Sequence, residues 1–140
     1  MTGLPDPLVY SPEVEKRFDA PVRHGPLYGP PADRCSGLAG DADRGVHVRF
    51  EARVRNGAVV ECRFQAYGCP HVIAAASWVA EHADGRRIDE AGWPDAHALL
   101  ARLEAPAHKL GSLLVVEDAY RAMLDSARQR QGRADPRPTA

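Results

Sequence analysis

The chain lacks the features that mark several functional classes. Its 140 residues hold three cysteines, with no CxxC pair and no zinc-finger or haem-attachment spacing. So low and odd a count excludes a secreted disulfide framework. It points to a reducing compartment, the cytoplasm, where a useful cysteine works as a thiolate. No apolar run approaches the roughly 18 residues of a membrane span. Residues Met1 to Pro7 contain neither a basic nor an apolar region, so no signal peptide is expected. Neither charge is in excess: the formal net charge of −1 excludes a generally basic nucleic-acid binder. Glycine-rich phosphate loops, nucleophile elbows, paired-carboxylate motifs and internal repeats are all missing.

What is present is the composition of one globular domain, 44% apolar and 26% charged. Ser11 and Pro12 begin a short helix that runs to about Asp19. Residues 21–34 hold four prolines and two glycines and read as an ordered irregular loop or a flexible linker. Val46, Val48, Phe50, Ala52 and Val54 alternate with polar residues, and Val60, Cys62, Phe64 and Ala66 do the same. This predicts a hairpin with one buried face. Parity between the two apolar sets calls for an odd connection. A three-residue loop, Arg55-Asn56-Gly57, would pair Phe50 with Cys62 and Val48 with Phe64. Apolar residues then recur at helical spacing over 70–83, 94–104 and 111–129. The expected architecture is α+β, an antiparallel sheet with segregated helices. The domain is expected over 9–129, between a flexible N-terminus (1–8) and a flexible C-terminal tail (130–140). From Ala119 onward five arginines face two aspartates, which suits a solvated helix end or a partner-binding arm.

Cys69 is the most informative cysteine. It lies in Tyr67-Gly68-Cys69-Pro70, where a strand gives way to a helix. A sulfur there is expected to meet free N–H groups and the positive end of the helix dipole, which favour the thiolate. Metal binding or nucleophilicity then competes with the plainer reading, a small buried cap residue. Cys62 faces inward and reads as core. Cys35, in Arg34-Cys35-Ser36-Gly37, precedes a short edge strand. His71 and His108 are candidate partners for Cys69 in a metal site, although a lone surface histidine is the plain reading of each.

Longer stretches resemble a known family. Tyr10-Ser11-Pro12-Glu13-Val14, Cys35-Ser36-Gly37-Leu38-Ala39-Gly40, Arg63 to Ser77, Gly85-Arg86-Arg87-Ile88-Asp89-Glu90-Ala91 and Glu117-Asp118-Ala119 are similar, in order and spacing, to motifs of the NifU/IscU-type iron–sulfur cluster assembly scaffolds. The resemblance covers roughly residues 9–128 and implies a three-stranded antiparallel sheet packed on one side by helices. It also implies a [2Fe–2S] cluster held by three cysteines, commonly with an aspartate or histidine. Aligned without gaps, the first of those cysteines falls on Arg44, the aspartate on Val46 and a His-Cys pair on Gly111-Ser112. Only Cys69 keeps a ligand's identity, with Cys35 a stand-in if it lies nearby. The chaperone-recognition stretch falls on Ala105-Pro106-Ala107-His108-Lys109, which keeps Pro106 and Lys109.

Iron–sulfur clusters normally need four thiolates, with histidine, aspartate or an external thiol as occasional substitutes. The expected function is therefore a non-enzymatic, scaffold-like protein of iron–sulfur cluster assembly with a degenerate site centred on Cys69. The alternative is a cluster-free module of the same fold that docks on a cysteine desulfurase, a scaffold or a chaperone. A persulfide-carrying thiol enzyme would need a positioned base, and none is evident. Nucleic acid and membrane are not expected partners.

Overall fold

Period-two alternation at the centre of the chain builds the sheet on which everything else packs. The computed structural model describes residues 10–134. The flexible N-terminus expected over 1–8, and the part of the expected tail beyond Ala134, lie outside the described residues. Three strands, β1 (Arg34–Asp41), β2 (Val46–Arg55) and β3 (Ala58–Tyr67), form an antiparallel sheet in the order β1-β2-β3. A 3-10 turn over Ala42–Arg44 joins the first two.

The hairpin closes differently from the expected three-residue loop. Arg55 pairs with Ala58 across a two-residue turn, Asn56-Gly57, whose φ angles are 54° and 75°. Asparagine and glycine are the residues that tolerate two successive positive φ values, so this turn forms readily. The odd residue demanded by parity sits further along. Val54 pairs with Val59 and Arg53 with Glu61, so Val60 is the extra residue of a β-bulge. Phe50 therefore faces Phe64, Ala52 faces Cys62 and Val48 faces Ala66. The inner set is the expected one: Val48, Phe50, Cys62 and Phe64 are buried. The bulge also leaves the backbone of Val59 free to pair outward. Its N–H donates to the Arg86 carbonyl (2.8 Å) and its carbonyl accepts from Gly85 (2.7 Å).

Four helices complete the fold: α1 (Pro12–Asp19), α2 (Pro70–His82), α3 (Ala96–Arg102) and α4 (Leu110–Ala134). Helix α1 begins where expected, with the Ser11 hydroxyl accepting from Val14 N–H (3.3 Å) and donating to the Leu103 carbonyl (2.7 Å). Helix α3 is shorter than the expected 94–104, because Asp95 is its N-cap and accepts from His97 N–H (3.2 Å). The helices bury Val72, Val79, Leu99, Leu113, Tyr120 and Met123 in one core with the inner sheet face. At Gly37 the backbone of α4 lies directly on β1. A Cβ there would overlap the amide nitrogen of Met123 and reach 2.5 Å from the Ala119 carbonyl oxygen.

The outer face is not bare. Glu51 and Arg53 alternate outward as expected, yet both are buried. The proline-rich segment 21–33 crosses over them as an ordered irregular loop, so it is no flexible linker. Arg53 donates to the carbonyls of Tyr28 (2.5 Å), Pro30 (2.8 Å) and Ala32 (3.1 Å). The Glu51 carboxylate accepts from Leu27 N–H (3.2 Å), and Arg63 donates to the His24 carbonyl (2.7 Å). Carbonyls with no strand partner thereby find one.

Arg17 ties α1 to α2. Its guanidinium donates to Glu13 (2.5 Å), Glu81 (2.7 Å) and the Ser77 hydroxyl (3.2 Å). The hydrogen bond from Arg17 holds both carboxyl groups below their usual range. A carboxylate depressed in the folded state stabilises above its unfolded pKa, and that stability is lost as pH falls through the folded value. Urea unfolding at pH 7, 5 and 3.5 should show a steep acid loss below about pH 4.5, and Arg17→Met should flatten it. A parallel loss in both proteins would show that Arg17 does not set it.

Gly37→Ala should destabilise the fold by about 1–3 kcal/mol, because the helix backbone must retreat. Gly111→Ala, where a Cβ meets nothing within 4 Å, should be neutral or stabilising by a few tenths of a kcal/mol. Equal urea midpoints for the wild type and Gly37→Ala would contradict the close approach.

Candidate functional site

The candidate site forms where β3 ends and α2 begins. Gly68 permits the turn: a Cβ there would lie 3.1 Å from the side chain of Val72. Cys69 is the N-cap of α2, in extended backbone at φ −72° and ψ 168°. Its carbonyl accepts from Val72 (3.0 Å) and Ile73 (3.2 Å). The side chain makes no capping hydrogen bond, so the expected contact between sulfur and free helix N–H groups is not formed. The sulfur-bearing residue is half-buried, neither core nor free surface.

Register fixes what else lies at this end of the sheet. Gly40, His47 and Tyr67 form one row across the three strands. The turn just past that row carries Arg44, which is exposed, and Val46, which is half-buried. Helix α4 runs antiparallel to β1, since Gly37 lies against Ala119 and Met123 while Gly40 lies against Val115. Its first turn, with Gly111 and Ser112, therefore projects toward the same end. The 3-10 turn Ala107–Lys109 leads into it.

His71 is not the surface residue expected. It is 4% exposed, its ring meets Tyr10 edge-on at 5.0 Å, and its Nδ1 is shielded without a partner among the described residues. Burial pushes its pKa down, helped by the charges of Lys109 and His108. That influence brings the His108–Lys109 turn close to the start of α2. The buried imidazole and the lysine beside it were not legible as a cluster. Only their separate positions near Cys69 and Pro106 hinted at them.

Cys35 is not brought to Cys69. It pairs with Ala52, five residues along β1 from the Gly40 row, roughly 17 Å at strand rise. It is buried, its thiol lies 3.6 Å from the Ala52 carbonyl, and burial pushes its pKa up to about 11. Cys62, two strands away in the same row, is fully buried and its thiol is pushed up further by desolvation. Both read as core.

At this end of the sheet stand one half-buried thiol, a buried imidazole, and the side chains of Arg44 and Lys109. Gly111 offers no donor and Ser112 only a neutral hydroxyl. Among the described residues, no group of three or more His, Cys, Asp or Glu side chains is placed to hold a metal ion. This donor set does not fit a [2Fe–2S] cluster, which draws on about four ligands, mostly thiolates.

The family described as the NifU-like N terminal domain matches residues 9–134. The iron–sulfur cluster assembly scaffold protein IscU of Haemophilus influenzae is 27% identical over 126 residues, covering 89% of this chain and 100% of that one. The iron–sulfur cluster assembly enzyme IscU of Drosophila melanogaster is 29% identical over 124 residues, covering 88% and 80%. The crystal structure of the N-terminal part of a nitrogen-fixing NifU-like protein from Brucella abortus superposes with a TM-score of 0.66 at 18% identity. It covers 86% of this chain and 94% of that one.

Thiol chemistry gives a direct test of the placement. A thiol raised to about 11 is thiolate in roughly one molecule in three thousand at pH 7.5. Iodoacetamide, followed by mass spectrometry of peptides, should therefore modify Cys69 well before Cys35, and Cys62 last. Equal rates for Cys69 and Cys62 would show that Cys69 is a buried cap and not part of an open site.

Proposed function

The chain belongs to the family of NifU-like N-terminal domains, and from that premise we propose that it serves iron–sulfur cluster assembly as a scaffold-like protein with a degenerate site centred on Cys69. The observation that carries the reading is the convergence at one end of the sheet. Positions that would hold ligands by family resemblance, namely Arg44, Val46, Cys69 and Gly111-Ser112, lie around that end. Only Cys69 retains a thiol. The likeness to proteins named as cluster assembly scaffolds supports the biological setting.

The role is non-catalytic in this reading. Cys69 has no side-chain hydrogen bond at the cap and so no base engaged with it. Arg44 and Lys109 supply positive charge that disfavours iron and favours an anionic partner group. The residues His71 and His108 add imidazoles near the thiol, but not a complete ligand set. The cytoplasm is the proposed compartment, consistent with three free cysteines. Among the described residues no helix is long and apolar enough to cross a membrane.

The donor set favours a second reading. With one thiol in place of several, the protein is a cluster-free module that docks on a cysteine desulfurase, a scaffold or a chaperone. The two readings share the assembly setting and differ in whether iron is ever held. Anaerobic reconstitution with iron and sulfide, then gel filtration, metal analysis and visible absorption, separates them. The monomer peak should stay colourless and nearly iron-free. About two irons per chain in that peak would overturn the degenerate site. Failure to bind a purified desulfurase, scaffold and chaperone alike would overturn the assembly setting.

A further inference from the structure

A second site lies at the opposite end of the sheet. There a cavity of about 410 Å³ opens between the start of β1, the hairpin end of β2 and the later turns of α4. It is within the size range of small-molecule sites. Cys35, Val54 and Ala127 give it an apolar floor. Asp33, Arg34, Arg55 and Arg130 form its polar wall.

The guanidinium of Arg34 turns to the outer sheet face, where Nη1 lies 4.0 Å from Glu51, so the wall carries two guanidinium groups, Arg55 and Arg130, and a single carboxylate, Asp33. That carboxylate is engaged, since Arg55 Nε donates to Asp33 at 3.1 Å. The arginines are held by the fold but not exhausted by it. Arg34 donates to the Gly29 carbonyl (3.0 Å), and Arg130 donates to the Arg34 carbonyl. Guanidinium groups recognise carboxylate and phosphate oxygens by paired, charge-assisted hydrogen bonds.

We propose that this cavity binds a small organic oxyanion, a carboxylate or phosphate head on a short apolar body. The head faces Arg55 and Arg130, and the body rests on Cys35, Val54 and Ala127. The Cys35 thiol, raised to about 11 by burial, is neutral and does not repel the ligand. The site is independent of Cys69, at the far end of the same sheet. Its failure would leave the assembly reading untouched.

The test uses the whole protein, labelled with ¹⁵N, titrated with butyl phosphate, butyrate, inorganic phosphate and butylammonium. Butyl phosphate and butyrate should shift the amides of Cys35, Arg55, Asn56 and Ala127 saturably, and butylammonium should not. Arg55→Gln and Arg130→Gln should each weaken binding about threefold or more, the scale of one exposed charge contact. The spectra themselves report whether each variant is folded, and either variant alone suffices. Inorganic phosphate binding as tightly as butyl phosphate would overturn the role of the apolar floor. Absence of saturable shifts, equal shifts with butylammonium, or affinity unchanged in both folded variants would overturn the site.

Discussion

Helix α4 rests on the bare backbone of β1 at Gly37, and most of the molecule's functional geometry depends on that contact. A Cβ at this position would strike the main chain of the helix at Ala119 and Met123. Main chain cannot rotate away as a side chain can, so the helix is held close against the strand at this point. A helix of 25 residues spans roughly 37 Å. A second contact, of Gly40 with the Val115 side chain, sets its direction along β1. Gly111 and Ser112 are carried to the end of the sheet where Cys69 caps α2, and Ala127 and Arg130 are carried to the end where Cys35 is buried.

The outer face is held by a different device. Arg53 and Glu51 leave an exposed strand face and become buried by gathering the backbone of 27–32 around them. A charged pair of positions in a strand usually marks a solvated face. Here it marks a face whose cover has no secondary structure and so no internal hydrogen bonds. The guanidinium supplies several donors from one point, which suits an irregular chain better than a ladder would. The outward pairing of Val59 with Gly85 and Arg86 covers the free edge of β3 by the same economy, and unpaired edges are a hazard in any sheet.

The inner face of the hairpin was legible because period two admits one solution: Val48, Phe50, Cys62 and Phe64 face inward or the core is lost. The need for one odd residue was legible as well. Its location was not, because a bulge at Val60 and a longer turn satisfy the same parity, and the Asn56-Gly57 turn favours the bulge together with the outward partners of Val59. The Ser11 cap of α1 and the start of α2 at Pro70 follow from local chemistry and appear where expected. The start of α3 depends on Asp95 as cap in place of Pro94, a choice between two adequate local signals. The burial of His71 and the order of 21–33 were not legible, since both depend on partners more than ten residues away. The site was legible as a position, Cys69, but not as a constellation, because neither the separation of Cys35 nor the approach of Lys109 has a local signature.

Positions that pack this fold and most of those that would hold a cluster by family resemblance lie apart in this chain. Gly37 and Phe50 are packing positions: each has neighbours that a different side chain would strike or abandon. Arg44 lies exposed in a turn, Gly111 faces open space and Ser112 is only half-buried. Substitution at such places costs the fold little, because few neighbours must move. A chain can then drift to arginine, glycine and serine there while its sheet, its helix caps and the contact at Gly37 remain intact. On the proposed reading, that separation lets the fold stay recognisable at 27% identity with a donor set of a single thiol. It also explains why function must be argued from the end of the sheet, residue by residue, and not from the sheet itself.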